Sequence, residues 1–383
     1  MVKKNILFLM GTYPSYGGVE KVTTVLANRF IEDGHCVTIA SFIQPKNEFA
    51  KLYLSDKCNL LSLECPILSI KNIKKLREYV KNHNINVFIN QLVIPFYVTL
   101  VWKLALIGIN CKIYSVHHNK PDTNKRIQDL DLQINVGKNY LKIIRYLVRE
   151  ISRLSLAFCV KSSHKFILLS PSFIPGVKNY TRLTKCNKFL SITNPVTIEP
   201  PSKILSKGKE IIYVGRIEYT HKCTYRVVDI WNELEQLYPN WSLTIVGDGE
   251  DREDLQKRID EYGLKNIAIT GFVDPVKYYE RASILLLTSD SEGFGLVIVE
   301  AMTYGLVPVV YNSYEAVRDI IIDGYNGKLV DKPYRINSFV TVLKDLMDGN
   351  ECLNLISCNA RNVSSRFTVD NVVNEWYELF TKE

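Results

Sequence analysis

The stretch Thr288-Ser289-Asp290-Ser291-Glu292-Gly293-Phe294-Gly295-Leu296-Val297-Ile298-Val299-Glu300-Ala301-Met302 leaves an apolar run, crosses a loop with two glycines and enters an apolar helix. Residues 283–288 read as a buried strand. Backbone N–H groups at a glycine-bearing helix start, aided by the helix dipole, make an anion site. Glu292 falls in the loop, free to reach a sugar hydroxyl. Glu300 falls about one turn into the helix, where it can accept hydrogen bonds from a ribose diol. The same two carboxylates also suit the acid and base of a glycosidic hydrolase. The anion-binding context favours a phosphate-bearing ligand.

Outward from this segment, β-rich runs alternate with amphipathic helical stretches. The first half gives strands at 5–10, 36–42, 85–90, 112–116 and 166–170, with a first helix at 19–33 and Gly34 as its stop signal. After residue 209 come strands at 210–214, 242–246, 266–270, 283–288 and 306–310, with helices such as 224–237 and 252–262. Continuous apolar strands joined by helices mean parallel sheets covered on both faces. Two series predict an α/β protein of two doubly wound, Rossmann-like domains. The join is Asn194-Pro195-Val196-Thr197-Ile198-Glu199-Pro200-Pro201, whose proline density and lack of periodicity mark a linker. Ligands in this architecture sit beyond the carboxyl ends of the strands, so two facing domains would enclose a cleft there.

With 46% hydrophobic and 23% charged residues, the composition excludes a disordered chain. Nine cysteines without a CxxC pair argue for a reducing compartment and against structural zinc. The amino-terminal apolar run, residues 6–10, is too short for a signal peptide. Residues 92–111 are apolar but hold Pro95, Lys103 and Gly108, so a helix buried between strands is expected rather than a membrane span. Asp129-Leu130-Asp131 has the letters of a metal-binding Asp-x-Asp, but in a polar segment instead of after a strand, and no metal site is expected.

Charge is split unevenly. Residues 1–198 hold 28 Lys and Arg against 11 Asp and Glu, a net +17, while the remainder holds 20 against 29, a net −9. This points the first half at something anionic, such as lipid headgroups or a lipid-linked phosphate. Residues 140–155 form a basic amphipathic helix, with Ile144, Leu147, Val148, Ile151 and Leu154 on one stripe. Either an anionic membrane or a core-packed helix with a solvated face fits that pattern. Nucleic acid is not an expected partner, since no reading motif organises the charge.

The run Glu292-Gly293-Phe294-Gly295-Leu296-Val297-Ile298-Val299-Glu300 resembles the E-x7-E element of retaining glycosyltransferase family 4, whose members have the two-Rossmann GT-B fold. Tyr16-Gly17-Gly18-Val19-Glu20 resembles that family's amino-terminal glycine loop. Val214-Gly215-Arg216-Ile217 with Lys222 resembles its diphosphate-gripping Arg/Lys pair, although the spacing here is one residue longer and His221 precedes the lysine. Val246-Gly247-Asp248-Gly249 and Thr270-Gly271-Phe272-Val273 match two further loops. The motif His-Asn-x-Pro selects His118, followed by Asn119 and Pro121, as the histidine beside the transferred sugar, with His117 the runner-up.

The resemblance implies that Arg216, Lys222, Gly17, Gly18 and the backbone of Gly293, Phe294, Gly295 and Leu296 stabilise the departing diphosphate. Glu292 would position the sugar and Glu300 the ribose, while Phe272 and Val273 would border the base. It also implies domains at 1–195 and 196–367, with a carboxyl-terminal helix in 368–383 (Trp376, Tyr377, Phe380) returning to the first. The expected activity is retaining, metal-independent sugar transfer to a polysaccharide or lipid-linked hydroxyl in bacterial surface glycan synthesis. The donor would be a nucleoside-diphosphate sugar, a UDP-sugar first, acting as co-substrate with no separate cofactor. Alternatives are a nucleotide-sugar epimerase or hydrolase, or a non-catalytic nucleotide-sugar-binding subunit. The expected location is the cytoplasm, on the inner face of its membrane if the basic helix meets lipid.

Overall fold

The computed structural model describes residues 2–15, 17–45, 53–120, 122, 124–203 and 206–382. Tyr16 and Pro121 of the motifs above lie outside the described residues. The chain divides into two compact units, Met1–Pro195 with Val369–Glu383, and Val196–Thr368.

In the first unit the strands are β1 (Asn5–Thr12), β2 (Cys36–Ile43), β3 (Asn59–Ser62), β4 (Val87–Asn90), β5 (Lys112–His117), β6 (Lys165–Leu168) and β7 (Phe189–Ser191). They pair in parallel in the order β3-β2-β1-β4-β5-β6-β7. The helices between them are α1 (Gly18–Glu32), α2 (Ile70–Asn82), α3 (Phe96–Ala105), α4 (Lys125–Asn135), α5 (Leu141–Ser162) and α6 (Phe173–Thr181). Ile6, Leu7, Phe8 and Leu9 are all fully buried. Successive strand residues point to opposite faces, so burial of all four requires cover on both sides. The return helix Val369–Lys382 supplies part of it: Trp376 and Phe380 pack on Tyr114, and Phe380 also on Phe30. Burying each such ring stabilises by on the order of 2 kcal/mol.

The second unit has β8 (Glu210–Val214), β9 (Ser242–Val246), β10 (Ile267–Ile269), β11 (Ile284–Leu287), β12 (Val307–Tyr311) and β13 (Lys328–Val330), parallel in the order β10-β9-β8-β11-β12-β13. Its helices are α7 (Tyr225–Asn232), α8 (Arg252–Tyr262), α9 (Val276–Arg281), α10 (Leu296–Thr303), α11 (Val317–Ile320), α12 (Ile336–Asp348) and α13 (Asn350–Ser364). Both sheets therefore reverse strand order once, beside their first strand, which is the Rossmann arrangement. The crevice lies past β1 and β4 in one unit and past β8 and β11 in the other.

Three edge or near-edge strands, β3, β7 and β13, were not expected from the sequence. Each has only three or four residues, too few to show a period. The helix expected at 224–237 is shorter, ending at Asn232 and continuing as turns. The apolar stretch at 92–111 forms α3, capped by Pro95, with Val98, Val101, Trp102 and Ala105 buried. Among the described residues no helix is long and apolar enough to cross a membrane. Asp131 of the Asp-x-Asp letters sits on α4 and is ion-paired with Arg145 of α5.

Candidate active site

Past β8 and β11 the second unit assembles most of the residues singled out above. The loop after β8 carries Arg216 and Lys222, and the loop after β11 carries Glu292. These loops meet: Lys222 Nζ donates to Glu292 Oε1 at 2.6 Å, with side chains 26% and 10% exposed. Arg216 is the open cation, 68% exposed and 3.7 Å from Glu218 Oε2. The phosphate and sugar grips expected from sequence are thus adjacent, and one neutralises the other.

Gly295 is the N-cap of α10, with a left-handed φ of 87° and no side-chain cap on the helix. A Cβ there would lie 2.7 Å from the Tyr314 hydroxyl and 2.9 Å from Ile298 Cδ1, so space as well as backbone conformation demands glycine. The uncapped first turn leaves N–H donors and the positive end of the dipole beside Glu292. Tyr314 is 3% exposed, and its hydroxyl has no hydrogen-bond partner among the described residues.

The other glycine motifs serve chain packing. A Cβ on Gly247 would lie 1.9 Å from Gly215 O, and one on Gly249 2.1 Å from Ile217 O. Gly247 also bridges Gly271. Loops from β8, β9 and β10 therefore stack backbone on backbone, which only residues without a side chain permit. Their stacking leaves Phe272 65% exposed, with Val273 next to it half-buried.

Two residues expected to touch the donor turn inward. Phe294 is 3% exposed and packs edge-on against Phe367 at 5.7 Å, so only its backbone is available to a ligand. Glu300 is 4% exposed. Its Oε1 accepts from Thr197 Oγ1 at 2.6 Å and its Oε2 from the Tyr279 hydroxyl at 3.1 Å. A ribose diol would have to compete with both. Desolvation and the adjacent carboxylate drive the Tyr279 pKa well above its ordinary value, so Tyr279 remains a donor.

Arg226, at the start of α7, was missed by the sequence reading. Its Nη1 donates to Thr288 O at 3.1 Å and to Asp290 Oδ1 at 2.6 Å, its Nη2 to Asp290 Oδ2 at 3.1 Å, and its guanidinium lies 4.2 Å over the Tyr334 ring. This fork fixes the loop that leads to Glu292. An arginine four residues after Lys222, in the same strand-end segment, was the available signal.

In the first unit Gly17 caps α1, and Gly18 opens it, past β1. His117 ends β5 and is buried, 4% exposed, beside the Phe166 ring. His118 follows it, only partly buried, which makes it the more open of the two. Burial brings the pKa of His117 down to about 4 and that of His118 to about 3, so both rings are neutral at ordinary pH.

A hydrogen-bond relay defines the His118 ring further. Thr23 Oγ1 donates to Val19 O at 2.8 Å, so it accepts from Gln91 Nε2 at 3.4 Å. That turns Gln91 Oε1 toward His118 Nε2, which donates to it. The ring is then the Nε2–H tautomer, and Nδ1 is left a buried acceptor without a hydrogen-bond partner among the described residues. Gln91, past β4, was also missed; a polar residue at a strand's carboxyl end beside the switch point was its signal.

Residues 197–363 match the family described as "Glycosyl transferases group 1". Over its length the chain is 28% identical to an uncharacterized glycosyltransferase of Haemophilus influenzae, covering 97% of this chain and 99% of the relative. The chain is a glycosyltransferase. The group 1 match falls within its second unit. The glycosyltransferase is also 26% identical, over 98% of both chains, to the Campylobacter jejuni GalNAc-alpha-(1->4)-GalNAc-alpha-(1->3)-diNAcBac-PP-undecaprenol alpha-1,4-N-acetyl-D-galactosaminyltransferase. Its fold matches that of Anabaena HepE in complex with UDP and glucose, with a TM-score of 0.74 at 16% identity, over 99% of this chain and 100% of that one. Two parallel Rossmann-like sheets in one glycosyltransferase are the GT-B architecture.

Proposed function

We propose that this glycosyltransferase moves a sugar from a UDP-sugar to a hydroxyl of a lipid-linked or polysaccharide acceptor in bacterial surface glycan synthesis, with retention and without a divalent metal. The observation that carries the proposal is the Lys222–Glu292 pair at the uncapped start of α10. A leaving diphosphate needs positive charge placed beforehand. Lys222, Arg216 and the N–H groups of the α10 first turn provide it in one place. Charge fixed in this way is worth roughly 10²–10³ in rate for each donor removed.

On donor arrival Lys222 shares its ammonium between the diphosphate and Glu292, and the carboxylate so oriented accepts a hydroxyl of the sugar. Exposed Phe272 offers a face for the base. Support for a uridine nucleotide comes from the fold of HepE, and for a lipid-linked acceptor from the Campylobacter relative. Retention follows if the departing phosphate oxygen takes the acceptor's proton on the face the diphosphate leaves. This assigns no nucleophile to the protein.

The test is a thermal-shift panel of nucleoside diphosphates and nucleotide sugars, followed by transfer assays with the stabilising donor. A UDP-sugar should raise the melting temperature and be consumed in the presence of a chelator. Loss of turnover on chelation, restored by manganese, would defeat the metal-independent part. Unchanged turnover in both Arg216→Ala and Glu292→Gln would defeat the whole assignment.

A further inference from the structure

Helix α5 turns a continuous aliphatic stripe to solvent. Ile143, Leu147, Ile151 and Leu154 are 72%, 53%, 59% and 58% exposed, and Ile144 beside them is 42% exposed. The spacing i, i+4, i+8, i+11 puts the first four on one side of the helix. The opposite side is the one that docks, through Leu141, Ser152, Ser155 and Leu156. Of the two readings the sequence allowed for this segment, a core-packed helix therefore fails for the stripe. An exposed apolar row of this length on a folded chain marks a surface that something else covers.

The charge around the stripe selects what covers it. Lys138 and Lys161 are exposed near its two ends. Lys103 Nζ lies 4.9 Å over the ring of Phe158, which continues the row from Leu154 by one turn. Glu150 is the one acid in the helix, and Arg153 holds it at 2.8 Å with Arg149 and Arg182 close enough to act on it. A second copy would bring this positive face against its like. Tyr140 at the start of the helix and Tyr146 on it, 70% and 60% exposed, have the amphipathic rings that settle at the headgroup level of a bilayer. A fluid, negatively charged headgroup layer moulds to such a row and meets its charge.

We propose that α5 lies in the plane of an anionic bilayer surface, with Ile143, Leu147, Ile151 and Leu154 among the upper acyl carbons. The helix lies on the membrane and does not cross it. This docking is independent of donor chemistry.

The test is co-sedimentation of the full chain with vesicles of equal parts phosphatidylglycerol and phosphatidylcholine, and with phosphatidylcholine alone, at low and high salt. Binding is expected to the anionic vesicles, weakened by salt. Leu147→Ser with Ile151→Ser should lower the partition by about tenfold or more, since two half-exposed aliphatic side chains no longer leave water. Its melting temperature should equal that of the parent, because both positions already face solvent. Leu355→Ser, at a 64% exposed site on α13, should bind as the parent does. The proposal is overturned if the parent ignores anionic vesicles at low salt or binds both vesicle types alike. It is equally overturned if the double variant binds undiminished, if Leu355→Ser loses as much, or if light scattering shows a dimer that the double variant dissolves.

Discussion

Lys222 and Glu292, 70 positions apart, form a 2.6 Å ion pair in which the carboxylate is the more buried partner. Removing the lysine strands a carboxylate with little water, while removing the carboxylate leaves an ammonium that can still hydrate. Lys222→Met should therefore cost about 2 kcal/mol of stability and roughly 10²–10³ in donor turnover. Glu292→Gln should cost less stability. Combining the two should restore most of the stability and none of the turnover, as read by urea unfolding and initial rates. Recovery of both together would show that the pair only holds the loops.

Arg226 offers a test of how firmly the Glu292 loop must be held. Lysine at this position keeps the charge but cannot fork to Thr288 O and both Asp290 oxygens. Arg226→Lys should lower kcat/KM about tenfold, chiefly through KM for the donor, because orientation is lost rather than charge. A variant with parental KM and kcat would remove Arg226 from the site's support.

For Glu300 the prediction separates two roles. Glu300→Ala leaves the hydroxyls of Tyr279 and Thr197 without their acceptor in a buried setting. Stability should fall by about 1–3 kcal/mol. Glu300→Gln keeps an acceptor for one of them and should lose less. If the carboxylate instead serves a ribose diol, Glu300→Gln will raise KM for the donor with an unchanged melting temperature, and steady-state kinetics beside calorimetry will tell the two apart.

The inward turn of Glu300 shows where the sequence stopped being legible. Strand and helix periods placed the long central elements well, because residues such as Ile6 to Leu9 and Ile284 to Leu287 are buried on both faces and read as unbroken apolar runs. The doubly wound plan followed from those runs alone. Helix α10 is apolar almost all round, so no polar face marks the direction in which Glu300 points. Spacing gives an angle around a helix but not which side meets the sheet. The glycines carry a different lesson: Gly247 and Gly249 were matched only as family loops, and the structure gives the reason for them, since neighbouring backbone fills the space a side chain would need. Contacts between loops far apart in sequence, such as Lys222 with Glu292 or Gln91 with His118, depend on strand order, which one chain without its fold does not specify.

The histidines predict a direction of pH dependence. Desolvation takes His117 from an ordinary 6.5 to about 4 in the folded chain. The unfolded chain therefore binds the proton first as pH falls, so this contribution is intact above about pH 6.5 and is lost toward pH 4. His118 and His35 shift in the same sense. Stability should drop by about 1 kcal/mol per pH unit for His117 across that window. Urea midpoints at pH 7.5 and 5.5 measure it, above the range where most carboxylates titrate. His117→Asn should flatten the profile, and an unchanged slope would mean the ring is not desolvated as its 4% exposure indicates.

The Thr23–Gln91–His118 relay makes the last prediction. Thr23 spends its proton on Val19 O, Gln91 spends its Nε2 on Thr23, and so His118 must donate through Nε2 and keep Nδ1 as an acceptor. A neutral ring in that tautomer receives a hydroxyl proton in a hydrogen bond and cannot donate from Nδ1. Nitrogen NMR of His118, assigned by its loss in His118→Asn, should show a single Nε2–H tautomer that persists to low pH. Gln91→Leu removes the selection, so both tautomers should populate and kcat should fall about tenfold, the usual lower range for a misplaced polar contact in a transition state. Thr23→Val acts one step further back: it frees the Gln91 amide to flip, giving a smaller kcat loss with the same mixed spectrum. Should Gln91→Leu mix the tautomers while kcat stays parental, the ring's Nδ1 takes no part in transfer, and His118 contributes only its backbone and bulk.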